Sequence, residues 1–235
     1  MKKFIVQVKG GSGKSYLTKL LSLKAEKERT ETFFLDCDNA SASTTKFFKS
    51  IEERKSSYIK YASFNLLGTD KKIDRTKFDN FLSEIEKLEN VVVDFGAASS
   101  EQLLFYIQEE TKNNVLDTFK EMGIEIYLVI AGGGSAKECM DFFEQANKID
   151  GMGAITSLVA NEFFGGVNGR TVKDYTNSKI QINKLHEDSN SDAQNEWDKL
   201  MTNGVVYADI LAMNVIRKRR IVNYLDNIFD QIGQA

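Results

Sequence analysis

The sequence predicts an α/β fold, a mostly parallel, twisted sheet with helices on both faces, and three observations carry that expectation. Short apolar runs alternate with helical patterns from the first residues onward. A glycine-rich turn closes the first run, and the acidic residues Asp36, Asp38 and Asp94 stand at the ends of later ones. Right-handed crossovers between such strands gather ligands beyond the strands' carboxyl ends, where these clusters lie.

Each element follows in order. Residues 4–8 form a mostly apolar run that breaks into Gly10, Gly11 and Gly13, after which Leu17, Leu20 and Leu21 recur at helical spacing. Phe33-Phe34-Leu35 is a second strand ending in Asp36-Cys37-Asp38, and a helix through Phe47, Phe48 and Ile51 follows it. Residues 58–64 alternate as a third strand. Phe78, Phe81, Leu82, Ile85 and Leu88 share one helical face, and Val91-Val92-Val93 runs into Asp94 as a fully buried strand does. Residues 103–122 read as one helix, 124–130 as a strand ending in Gly132-Gly133-Gly134, 136–149 as a helix and 155–160 as a sixth strand. Residues 165–195 are polar and irregular, with a short strand at 180–182, and two or three helices close the chain after Asp192. One domain over residues 1–235 is expected, with 192–235 packed on it, because 235 residues suffice for one buried core and no composition shift marks a second.

Composition narrows the function classes. Hydrophobic residues make up 42% and charged residues 28%, as in an ordinary globular protein. The net charge of −3 argues against wholesale wrapping by nucleic acid, so any such contact is a local patch. No apolar run reaches the roughly 18 to 20 residues of a membrane span, and the chain leads straight into a strand, so a cytoplasmic protein is expected. Cys37 and Cys139 lack metal or redox spacing and read as reduced, packed thiols. His186 is the only histidine, which removes histidine triads and multi-histidine metal sites.

The chemistry concentrates in Val8-Lys9-Gly10-Gly11-Ser12-Gly13-Lys14-Ser15, between a strand and a helix. There backbone N–H groups and a helix N-terminus cradle phosphate. Gly10, Gly11, Ser12 and Gly13 let the backbone approach closely, Lys14 reaches the β- and γ-phosphates, the Ser15 hydroxyl takes Mg²⁺, and Tyr16 completes the loop. Asp94, an acid ending an apolar strand after such a loop, is placed to hold Mg²⁺. Asp36 and Asp38 are a further acidic pair, one for the metal side and one for an attacking water.

The usual phosphate-loop pattern wants glycine where Val8 stands; these residues fit K-G-G-x-G-K-[ST] instead. That pattern resembles the ParA/MinD superfamily and its deviant Walker A motif, and the resemblance covers about residues 1–175. It implies a P-loop ATPase that binds ATP and Mg²⁺ and dimerises around them, with Lys9 crossing to the partner's nucleotide. Leu35-Asp36-Cys37-Asp38 resembles the family's switch I motif, which assigns Asp38 to the water and Asp36 to support of the magnesium site; Asn39-Ala40 replaces the family's Pro-Gln. Asp94-Phe95-Gly96-Ala97-Ala98-Ser99, Gly132-Gly133 and residues 159–165 are similar to plasmid conjugation and stability ATPases of the TraL/StbB type. This implies a slow ATP-hydrolysing switch in plasmid partition, stability or conjugative transfer, with a plasmid-encoded partner protein. By the same resemblance Asn161 contacts the adenine; Arg170 reads as a surface residue.

Three readings stay open for Arg217-Lys218-Arg219-Arg220: non-specific DNA contact, an amphipathic tail on a membrane, or a helix packed on the sheet with a charged start. Ile221, Leu225, Ile228, Phe229 and Ile232 at helical spacing favour packing, and Asp226 and Asp230 weigh against anionic lipid. Two rival functions remain. A small-molecule P-loop kinase would need an acceptor pocket and usually an arginine-rich lid, whereas a non-catalytic scaffold would tolerate loss of Asp38.

Overall fold

The computed structural model describes residues 1–38, 42–52, 56–164, 179–185 and 191–234. Seven strands form one sheet: β1 (Lys2–Val6), β2 (Thr32–Cys37), β3 (Ile59–Ser63), β4 (Val91–Phe95), β5 (Ile124–Ala131), β6 (Thr156–Asn161) and β7 (Lys179–Ile182). Their order is β3-β2-β4-β1-β5-β6-β7, and every pairing is parallel. Connections run outward from β1 to β2 and β3, then return to insert β4 beside β1. The crevice between β1 and β4 is therefore the switch point at which ligands of such sheets collect.

Alternation along β1 divides the core in two. Phe4 and Val6 point to one face, covered by α3 (Arg75–Glu86), α4 (Ala97–Glu110), α5 (Val115–Glu121) and α6 (Ala136–Asn147). Ile5 points to the other, covered by α1 (Lys14–Glu28), α2 (Ser43–Glu52), α7 (Asp192–Asn203), α8 (Tyr207–Leu211) and α9 (Val215–Gln234). Each fully buried Phe or Leu removes enough apolar surface to contribute about 1.5 to 3 kcal/mol. Phe4 meets Phe95 and Phe119 at centroid distances of 5.2 and 5.9 Å, which fastens the central strands to the helical layer at tilted and edge-on angles.

The alternating order stands as the sequence predicts, with β7 extending the sheet at its edge. The single helix expected over residues 103–122 is two. α4 starts directly after Gly96, and Asn114, in the left-handed region at φ 58°, breaks the run before α5. Three helices close the chain. In α9, Ile221, Leu225, Ile228, Phe229 and Ile232 are buried, while Arg217, Arg219 and Arg220 are exposed. The basic start of α9 is thus a packed helix's solvated end, with Arg217 ion-paired to Glu196. No helix among the described residues is long and apolar enough to cross a membrane. Asn39, Ala40, Gly165, Arg170 and His186 lie outside the described residues.

Candidate nucleotide-binding site

The loop after β1 is held open by glycine conformations and by two buried amides. Gly11 and Gly13 sit at φ 73° and 103°, where a side chain would be strained. A Cβ on Gly13 would also lie 2.1 Å from Asn161 Nδ2, so close packing demands glycine as much as the backbone does. On the entry side Gln7 is fully buried. Its Nε2 donates to the carbonyls of Val129 and Cys139, at 2.8 and 3.3 Å, and its Oε1 accepts from Val8 N and Lys9 N, at 2.9 and 3.4 Å. On the exit side Asn161 Nδ2 donates to the Ser12 carbonyl at 2.8 Å, and its Oδ1 accepts from Phe163 N at 3.2 Å. Gln7 thereby fills both donors and both acceptor positions, while Asn161 uses one of each.

Asn161 lines the cavity as well as bracing the loop, and one N–H and one lone pair of its amide remain beyond these two bonds. A wall of the cavity nearby is aromatic: Tyr16 and Phe163 pack with ring centroids 6.0 Å apart. Trp197 Nε1 donates to Tyr16 Oη at 2.7 Å, tying this wall to α7. Burial pushes the Tyr16 hydroxyl up to about 12, so it remains a neutral hydrogen-bonding group.

Lys14, in the first turn of α1, is nearly buried, and its Nζ donates to the Lys9 carbonyl at 3.4 Å. Burial lowers its pKa, opposed by the charges of Asp94 and Asp38, so the site holds a desolvated cation beside two acids. The Ser12 hydroxyl is buried with no hydrogen-bond partner among the described residues. Lys9 extends the other way and forms an ion pair with Glu138 of α6, both groups being substantially solvated.

The acids separate into distinct environments. Asp94, next to last in β4, stands in register with Ile5 of β1 and Asp36 of β2. It is buried; Thr44 donates to its Oδ2 at 2.5 Å, and Oδ1 has no hydrogen-bond partner among the described residues. Desolvation pushes its carboxyl up to about 6, against the pull of the Thr44 and Ser15 hydroxyls and of Lys14. Asp36 is committed elsewhere. Its Oδ1 accepts from Asp38 N at 2.9 Å and its Oδ2 from Thr45 N and Thr45 Oγ1, both at 2.7 Å. The carboxylate expected to support the magnesium site thus accepts chain donors on both oxygens and ties the end of β2 to the start of α2. Asp38 stands past the end of β2 against Gly96, where a Cβ would come within 2.7 Å of Asp38 Oδ1 and 2.9 Å of its Cα. Cys37 and Cys139 are buried free thiols, raised in pKa by desolvation and chemically quiet.

These groups line one cavity of about 880 Å³ at the carboxyl end of β1. The loop from Gly10 to Tyr16 forms its floor, Asn161 and Phe163 one end, and Asp38, Lys71 and Gly96 the other. The structure brings together Gly10, Gly11, Ser12, Gly13, Lys14, Ser15, Tyr16, Asp38 and Asn161 around it, with Asp94 beneath. It leaves Lys9 at the rim and Arg217, Lys218, Arg219 and Arg220 on the start of α9. The sequence reading missed Gln7, Ser43, Thr44 and Thr45. Gln7 carries a signal, a polar residue ending an apolar strand, and the other three are consecutive hydroxyls opening an amphipathic helix.

A metal fits this donor set on two counts. Asp94 has a buried oxygen without a partner, and the Ser15 hydroxyl lies beside it, bonded by Ser43 Oγ at 2.7 Å. The described residues hold no cluster of three or more His, Cys, Asp or Glu side chains placed to hold a metal ion.

No family model and no curated protein matches this sequence. Solved structures do. A Borrelia burgdorferi B31 protein assigned to plasmid partition, with AMPPNP bound, is similar over 99% of this chain and 98% of its own, at 12% identity and a TM-score of 0.56. FtsY from Mycoplasma mycoides is similar over 86% of this chain and 67% of its own, at 12% identity and a TM-score of 0.50. The fold is that of a P-loop NTPase. In this fold the glycine turn follows β1, and Asp94 lies on the adjacent β4 in register with Ile5. At such identity the likeness speaks to the fold, and the site rests on the side chains described above.

Proposed function

We propose that the chain is a Mg-ATP-dependent switch of the ParA/MinD type, which dimerises around ATP, hydrolyses it slowly and acts in plasmid partition, stability or transfer. The observation that carries this reading is the loop itself. Two glycines in left-handed conformations, a near-buried Lys14 with two acids around it, and an unpartnered Asp94 oxygen converge at the switch point of the sheet. The Borrelia protein with the likeness over nearly the whole chain holds an ATP analogue, which supports ATP as the nucleotide here.

In this reading the backbone N–H groups of residues 10–15 and the Lys14 ammonium take the phosphates. Ser15 and Asp94 hold Mg²⁺, which neutralises charge on the β- and γ-phosphates when bound. Asp38, kept close to the site by the bare Cα of Gly96, orients the attacking water. Lys9 leaves Glu138 and reaches the nucleotide of a second copy, placing another cation where charge develops in transfer. Exposed as the Lys9–Glu138 pair is, exchanging it for a phosphate contact in a partner costs little, on the order of 1 kcal/mol or less.

A small-molecule kinase is the alternative with an observation in its favour. The cavity continues past Asp38 to Leu67 and Lys71, room that an acceptor or a partner's loop would occupy. Phosphate release from ATP without a second substrate separates the two. For the switch, Lys14→Ala abolishes nucleotide binding in a titration, whereas Lys9→Ala leaves binding intact and removes ATP-dependent dimers. Turnover that appears only with an added acceptor refutes the switch.

A further inference from the structure

Three consecutive side chains opening α2 each bond a different residue of the site. Ser43 Oγ donates to Ser15 Oγ at 2.7 Å, Thr44 Oγ1 to Asp94 Oδ2 at 2.5 Å, and Thr45 Oγ1 to Asp36 Oδ2 at 2.7 Å. Serine and threonine in a first helical turn ordinarily bond their own backbone, capping the helix they begin. Here the hydroxyls donate outward to α1, β4 and β2. Successive helical residues fan about 100° apart, so one turn reaches three elements only if it sits directly over the carboxyl ends of β2 and β4. Thr44 is buried, as are Asp94 and Asp36, so these bonds form where an unmade one is expensive.

The arrangement around Asp94 is asymmetric. Thr44 takes one carboxylate oxygen and leaves the other, buried and unpartnered, free to face a cation. Ser43 donates to Ser15 and so engages one of the two lone pairs of the hydroxyl that a cation would take. A helix held only for packing would need none of this, because Phe47, Phe48 and Ile51 already bury its apolar face.

We propose that Thr44 and Ser43 are positioning residues of the metal site. Thr44 fixes the Asp94 carboxylate with one oxygen aimed at the cation, and Ser43 holds the Ser15 hydroxyl until a divalent cation arrives with the nucleotide. Thr45, bonded to Asp36, ties the start of α2 to the end of β2. The first turn of α2 thereby distinguishes metal–nucleotide from nucleotide alone. This rests on the Mg-nucleotide reading above.

The test is the divalent-cation dependence of nucleotide affinity, measured by titration with an ATP analogue in Mg²⁺ and in EDTA. Wild-type protein binds more tightly in Mg²⁺. Thr44→Val keeps the EDTA affinity within about twofold and loses most of the Mg²⁺ enhancement, roughly tenfold, while Thr44→Ser restores it. Ser43→Ala, at a partly exposed position that tolerates truncation, reduces the enhancement by a smaller factor; should the valine variant fail to fold, the serine and Ser43 variants decide the matter. A purely structural role would lower affinity equally in both conditions, and that result, or an unchanged enhancement in Thr44→Val and Ser43→Ala, overturns the proposal. Wild-type binding indifferent to Mg²⁺ overturns it while leaving nucleotide binding standing. Wild-type protein that binds no nucleotide sinks the underlying function and this inference together.

Discussion

Replacing Asp94 by asparagine should make the metal-free protein more stable while removing its response to magnesium. Asp94 is fully enclosed, and its carboxyl, ordinarily near 3.8, is held at about 6 by desolvation. The unfolded chain gives up this proton near pH 4, whereas the folded chain keeps it until about pH 6. Folded stability is therefore undiminished below about pH 4 and is lost progressively as pH rises through that window, by about 3 kcal/mol once the group is ionised in both states. Asparagine does not titrate, so Asp94→Asn escapes the loss. Its oxygen still accepts from Thr44, but its Nδ2 occupies the unpartnered position and Lys14 loses a counter-charge, which together offset about 1 to 2 kcal/mol. The net expectation at pH 7.5 is a gain of about 1 to 2 kcal/mol, a rise in melting temperature of roughly 2 to 8 °C for a protein of this size. Thermal unfolding in EDTA at pH 4.5 and 7.5 measures it: wild type loses stability between the two and the variant loses less. A variant melting below wild type at pH 7.5, or an equal response of both proteins to pH, refutes the reasoning.

Further outcomes follow from contacts at the same site. Gly13→Ala places a methyl group 2.1 Å from the Asn161 amide at a φ of 103°; it should melt lower by about 2 kcal/mol or more and lose nucleotide affinity, as read by calorimetry and titration. Gly96→Ala pushes Asp38 away from the cavity without touching the phosphate loop, so a phosphate-release assay should show turnover reduced more than tenfold with nucleotide affinity nearly unchanged. Glu138→Gln frees Lys9 and should shift ATP-dependent association toward dimer by about twofold to fivefold at low salt, an effect that fades as sedimentation is repeated at higher ionic strength.

Much of the frame was legible because it depends on local pattern. Val91-Val92-Val93-Asp94 reads as a buried strand ending in an acid, and the glycine turn before Lys14 reads as a phosphate loop, since both signals are contiguous in the chain. What could not be read depends on distant partners. Asp36 looks like a metal acid until Thr45, nine positions on, is seen to take its oxygen. Asn161 reads only as a base contact until its amide is found bonded to Ser12 as well, 149 positions away. Ser43 and Thr44 carried no periodic signal at all, because hydroxyls at a helix start are ordinarily caps, and only the placement of α2 over β2 and β4 turns them outward. The break between α4 and α5 was hidden by continuous apolar spacing, with Asn114 as its one local cue.

If the loop after β1 holds ATP between two copies of this chain, with Lys9 of each completing the other's site, molecular mass must follow the nucleotide. Light scattering should find a dimer in Mg-ATP, monomers in ADP and without nucleotide, and monomers throughout for Lys9→Ala although that variant still binds ATP. A mass that ignores nucleotide, or a Lys9→Ala dimer as strong as wild type, rules this arrangement out.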